Sequence, residues 1–189
     1  MPDDYVQIYL DARFPLEDVE TNLHRFYQRV IAPALENLPE PALLEVAAAN
    51  SINENLDLAA AQVDAHTHNE AAKAFVLAFA GLFERQLRHW ALHLFSPVNP
   101  RTILEGDFAK LLDRCLEAKE VDGSRDDVRK ELVEAFLIAN VVRHGDGRTS
   151  KSLREIAPKL WVYDRSEYVA INAGPSPDSE QIRIRSRDI

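Results

Sequence analysis

Asn69-Glu70-Ala71-Ala72-Lys73-Ala74-Phe75-Val76-Leu77-Ala78-Phe79-Ala80-Gly81-Leu82-Phe83, continued by Glu84-Arg85-Gln86-Leu87-Arg88-His89-Trp90-Ala91-Leu92-His93-Leu94-Phe95, decides the fold. Between Ala71 and Phe83 it is apolar nearly all round, interrupted only by Lys73, so a helix built from it belongs at the centre of a domain. From Glu84 onward one side turns polar, with Glu84, Arg85, Arg88 and His89, while Leu87, Trp90, Ala91 and Leu94 keep the other side apolar. His68 or Asn69 is the expected start, and Ser96-Pro97-Val98-Asn99-Pro100 is a clear stop. At 1.5 Å per residue such a helix spans about 40 Å. Its apolar part is too short to cross a bilayer.

Outward from this segment the pattern stays helical. Residues 15–38 carry Val19, Leu23, Phe26, Val30 and Ile31 at helical spacing, with Pro33 expected to end or kink the helix. Pro39 and Pro41 make a break. Weaker helices follow over 42–49 and 52–64, with Ser51 or Asn53 as the cap of the second. Residues 107–120 form an amphipathic helix. Ser124 stands where it can cap a helix over 125–144, which Leu132, Val133, Phe136, Leu137, Ile138, Val141 and Val142 nearly encircle. Two helices apolar all round cover each other best side by side and antiparallel. A short helix over 151–156 is ended by Pro158. The tail then changes to period two in residues 160–163, 168–172 and 181–185, which reads as short strands. The expectation is therefore a mainly α fold, a helical bundle with two long central antiparallel helices and a small C-terminal β appendage. The helical domain covers 1–158 and a hairpin packed on it covers 159–189.

The chain has 189 residues, 46% of them hydrophobic, with a net charge of −9. The charge is uneven: the first 70 residues hold 3 basic and 13 acidic side chains, the remainder 19 and 18. An acidic chain of this kind is no general DNA coater, although a local basic cleft in its second part remains compatible with nucleic acid. A single cysteine, Cys115, excludes an internal disulfide framework and fits a reducing compartment. The start Met1-Pro2-Asp3-Asp4 has neither the basic beginning nor the apolar core of a secretory signal, so a cytoplasmic protein with no membrane partner is expected.

Three polar side chains interrupt the apolar helix near its end: Asn140, Arg143 and His144, followed by Gly145-Asp146-Gly147. Asn140 and His144 are one turn apart and share a face. An imidazole exchanges protons near neutral pH, and a guanidinium holds a phosphate bidentately, which suits phosphodiester chemistry without a metal or cofactor. The competing reading is a C-terminal cap, in which Arg143 and His144 satisfy the last carbonyls. Asn140 fits that reading poorly. A second polar group, Glu84, Arg85 and Arg88, either partners the first as a binding site or is a plain i, i+4 ion pair. His89 and His93 stand at metal-ligand spacing, yet the flanking glutamate of a zincin and a completing His/Cys cluster are missing. Cys115 reads as a small buried hydrophobe.

Asn140-Val141-Val142-Arg143-His144 resembles the second half of the Arg-Asn-x-x-x-His signature of HEPN domains, all-helical modules of prokaryotic RNases, toxins and defence proteins. The resemblance implies two long antiparallel core helices, a late-helix motif, and a homodimer that brings two motifs into one RNA-cleaving cleft. It implies His144 as general acid/base, with Asn140 and Arg143 orienting phosphate. Ala139 occupies the family's Arg position, which leaves a non-catalytic helical module, binding a cognate protein partner or nucleic acid, as the alternative.

Overall fold

A computed structural model describes residues 16–38, 51–95, 99–162 and 178–184, and the described chain is mainly helical. Helix α1 (Leu16–Phe26) passes through a π-helical turn (Tyr27–Ile31) into α2 (Ala32–Glu36). Of the two outcomes the sequence allows at Pro33, an end or a kink with a short continuation, the helix does not end there: it continues past Pro33 after the π-helical turn. The proline ring crowds the carbonyl four residues back. The chain answers by widening one turn, so that Ala32 N–H bonds Tyr27 O five residues earlier.

Helix α3 (Ile52–Leu94) is 43 residues long, about 65 Å. Ser51 caps it, its Oγ accepting from Glu54 N–H at 3.2 Å. The expected break at His68–Asn69 is absent. The stretch from Ile52 to Asn69 is polar in places but contains neither Gly nor Pro, and polarity alone does not interrupt a helix. Helix α4 (Pro100–Leu104) is capped by Asn99, and α5 (Phe108–Ala118) by Asp107. A short 3-10 turn (Arg125–Asp127) leads into α6 (Val128–His144). Ser124 does not cap it. The hydroxyl donates to Asp122 Oδ1 at 2.6 Å instead, which also holds the Asp122 carboxyl below its usual range. Helices α7 (Arg148–Ile156) and α8 (Asp178–Gln181) complete the described elements, with a 3-10 turn (Pro158–Trp161) after α7.

Helices α3 and α6 pack side by side with opposite chain sense. Early in α6, Leu132 and Phe136 lie against the cluster of Leu87 and Ala91, which are late in α3. Late in α6, Ile138 and Val141 join Ala72 and Val76. Phe108 from α5 stacks on Phe136 with centroids 4.3 Å apart and meets Phe83 edge-on at 6.4 Å. Of the two helices expected to be long, only α3 is: α6 has 17 residues.

The β appendage is not seen: no strand occurs among the described residues. Leu160 lies in a 3-10 turn, and the expected strand over 168–172 lies outside the described residues. Burial does not alternate at 182–184: Ile182, Arg183 and Ile184 are 0%, 6% and 2% exposed, and the segment's polar partners are not another strand. Asn69, itself 6% exposed, donates through Nδ2 to Ile182 O and accepts from Ile184 N–H, both at 2.9 Å. Arg183 N–H bonds Leu160 O at 2.7 Å. One side chain of α3 thus performs the pairing that a neighbouring strand would have supplied.

Lys73, one turn further along, is 3% exposed and donates to Glu70 Oε1 at 2.7 Å and toward Glu180 O at 3.4 Å. Burial pushes its ammonium below the ordinary lysine value, against the opposing pull of Glu70. The folded protein then binds this proton more weakly than the unfolded chain, so stability rises with pH between the depressed value and 10.5. Urea unfolding of wild type and Lys73→Met should show the wild type gaining relative stability from neutral pH toward that limit. A pH-independent difference would contradict it.

Candidate functional site

The site is set by which faces of α6 the core claims. Ile138, Ala139 and Val141 are buried, which turns Asn140 to a half-buried position and leaves Arg143 and His144 exposed. At 100° per residue the three polar side chains occupy one sector about 100° wide. The helix then stops at Gly145, whose φ of 71° few other residues adopt at low strain, and whose N–H bonds Val141 O at 2.8 Å. Gly147 N–H turns to Ser150 Oγ at 3.1 Å, and that hydroxyl donates back to Gly147 O at 2.9 Å, opening α7.

Gly145 N–H thus makes the last i→i−4 bond of the helix. Among the described residues the side chains of Asn140, Arg143 and His144 make no hydrogen bond or ion pair. The capping reading of Arg143 and His144 has no support in these contacts. Ser179 from α8 lies 4.0 Å from where a Cβ on Gly145 would stand, so the C-terminal segment borders the site.

Its surroundings are basic. Residues 143–159 contain Arg143, Arg148, Lys151, Arg154 and Lys159, all exposed, against Asp146 and Glu155. Arg154 lies over the Trp161 ring at 4.7 Å, and Lys159 reaches Glu134 at 3.3 Å. A local surplus of this kind in a chain of net charge −9 concentrates anions at one end of α6 and along α7.

Glu84, Arg85 and Arg88 are not brought to this place. Arg88 sits level with Leu132, twelve residues before His144 and roughly 18 Å away along the axis. Its guanidinium is taken up structurally. Nε and Nη2 donate to Glu84 Oε1 at 2.9 and 2.6 Å, Nη1 to Ile103 O at 2.6 Å, and Nη2 also to Gly106 O at 2.9 Å. This fork fixes the turn between α4 and α5, where a Cβ on Gly106 would stand 2.5 Å from Thr102 O. Arg88→Ala should therefore lower unfolding free energy by about 2 kcal/mol in urea titration, because it strands two carbonyls and the Glu84 carboxylate. A change within ~0.5 kcal/mol, the range of ordinary surface substitutions, would refute that structural role. Arg85 is exposed. Partial burial, then Arg85 and His93, push the His89 imidazole below its usual value.

Asn69 and Lys73 are the buried polar residues that sequence reasoning missed as a pair. Their i, i+4 spacing inside an apolar run was a usable signal. A cavity of about 400 Å³ lies between the π turn, α3 and α6 and is lined by Tyr27, Phe79, Phe83, Phe136, Glu131 and Glu134, apart from Asn140 and His144. Cys115 is 2% exposed and burial raises its thiol, so it acts as a core hydrophobe. Among the described residues no group of three or more His, Cys, Asp or Glu is arranged to hold a metal ion, and no helix is long and apolar enough to cross a membrane. Comparison with known proteins adds no assignment: no family model, curated protein or solved structure matches the chain.

Proposed function

We propose that the chain acts on RNA through the C-terminal end of α6, as a HEPN-like ribonuclease of the toxin or defence type that needs no metal ion. The observation that carries this reading is the cluster of Asn140, Arg143 and His144 at the C-terminal end of α6, with no structural partner among the described residues. Polar side chains kept in one sector without a packing task are available to a ligand. In this reading His144 moves the proton of the attacking 2′-hydroxyl or of the leaving oxygen. Arg143 holds the phosphate and the charge that develops on it, and Asn140 orients it. The basic face over Arg148 and Lys151 draws the polyanion in.

A second reading, a non-catalytic module of the same architecture, is favoured by Ala139. The family's Arg position here carries a side chain that is 5% exposed and packed in the core, so only Arg143 supplies a guanidinium. Incubating the protein with single-stranded RNA in EDTA separates the two. Cleavage supports the ribonuclease. Binding without cleavage, with affinity falling against salt at a slope of about −2 for three neutralised phosphates, supports the module. Neither binding nor cleavage would sink the ribonuclease and the RNA-binding module alike, leaving the module that binds a protein partner.

A further inference from the structure

We propose that the cavity between the π turn, α3 and α6 is a binding site for a small apolar cation, an alkyl- or arylammonium compound. The buried core divides into two clusters, and the cavity lies between them: Val76 and Ile138 belong to one and Phe108 to the other. Phe79, Phe83 and Phe136 stand in the middle parts of the two central helices, where large rings are ordinarily covered, yet each keeps partial exposure. Tyr27 is 37% exposed on the same wall. The π turn carries it there, and a widened turn of this kind recurs at functional sites. At about 400 Å³ the space is within the ordinary range for small-molecule pockets. Left unfilled, it forfeits the contacts its lining would make with an occupant.

Charge selects the occupant. The lining carries two carboxylates, Glu131 and Glu134, about one turn apart on α6, against one ammonium, Lys159. Lys159 Nζ reaches Glu134 Oε1 at 3.3 Å, which accounts for one carboxylate. Glu131 makes no hydrogen bond or ion pair among the described residues. An anion would meet this surplus negative charge, and a neutral molecule would gain only the apolar walls. A cation gains the walls, the carboxylate and the negative faces of the rings together. A quaternary ammonium suits the space better than a primary one, because it has no N–H to strip of water on entering an apolar cleft.

Titration calorimetry of the full chain with benzyltrimethylammonium tests this directly. Binding should saturate at millimolar ligand or below. Dimethyl benzyl carbinol has nearly the same shape without the charge and should bind about fivefold more weakly, the difference that a partly exposed cation–aromatic contact makes. Glu131→Gln removes a charge at an exposed position, so it should fold as the wild type does and lose about the same factor for the cation alone. Glu117→Gln, at an exposed carboxylate outside the lining, should leave both affinities as they were. No saturable binding by the wild type overturns the proposal, as does equal affinity for the two ligands or a cation affinity unchanged by Glu131→Gln. RNA cleavage is a separate outcome, since neither Asn140 nor His144 lines the cavity.

Discussion

Asn69→Ala should lower the free energy of unfolding by about 3 kcal/mol, a large share of what a domain of this size has. The amide makes two hydrogen bonds of 2.9 Å in a buried place, one donated to Ile182 O and one accepted from Ile184 N–H. Truncation leaves a carbonyl and an N–H of the C-terminal segment without partners and without water. Each such group costs about 1–3 kcal/mol. Leu160 O still holds Arg183 N–H, so the segment is weakened rather than cut loose. Urea titration measures the total, and hydrogen exchange should show the Ile184 amide losing protection more than amides in the middle of α6. Asn140→Ala gives the contrast. That side chain is half-buried with no hydrogen bond among the described residues, and its loss should stay within ~0.5 kcal/mol. A cost near 3 kcal/mol at Asn140 would overturn its assignment, and a cost within ~0.5 kcal/mol at Asn69 would overturn the other.

That contrast also marks what the sequence could reveal. Helical periodicity located the cores of α3, α5 and α6, because apolar side chains at helical spacing report local geometry and burial together. It placed Asn140 and His144 on one sector for the same reason. It misread Asn69, taken as a helix start because asparagine is a good cap. The side chain's true partners lie 113 and 115 residues away, and no local pattern announces them. The same long-range pair explains the misread tail. Ile182 and Ile184 are apolar at period two as in a strand, but Arg183 between them is buried as well, so residue type reported neither which side chains face inward nor what satisfies the backbone. The Ser124 error is a competition between two local bonds, helix cap against Asp122 carboxylate, of which spacing showed only one. Whether Arg143 and His144 capped their helix was undecidable for a similar reason. Residue types at a helix end permit capping without showing where a side chain goes: Arg143 and His144 are exposed and bond none of the last carbonyls among the described residues.

If α6 ends in a ribonuclease site, His144→Ala should lower RNA cleavage by about 10²–10⁴-fold, the usual contribution of a positioned general acid or base. The melting temperature should barely move. An imidazole that contributed to the helix end would stabilise it by at most about 2 kcal/mol, and only in a partly buried geometry. Here the side chain is exposed and takes part in no hydrogen bond or ion pair among the described residues. Arg143→Ala should also slow cleavage, and it should do so with weaker RNA binding, because a guanidinium attracts the phosphate in the ground state as well as in the transition state. Arg143→Lys keeps the charge and loses the bidentate fork, so it should restore binding more than rate. Cleavage unaffected by His144→Ala would remove the imidazole from the chemistry. A loss of cleavage accompanied by an equal fall in melting temperature would return His144 to a structural role at the helix end.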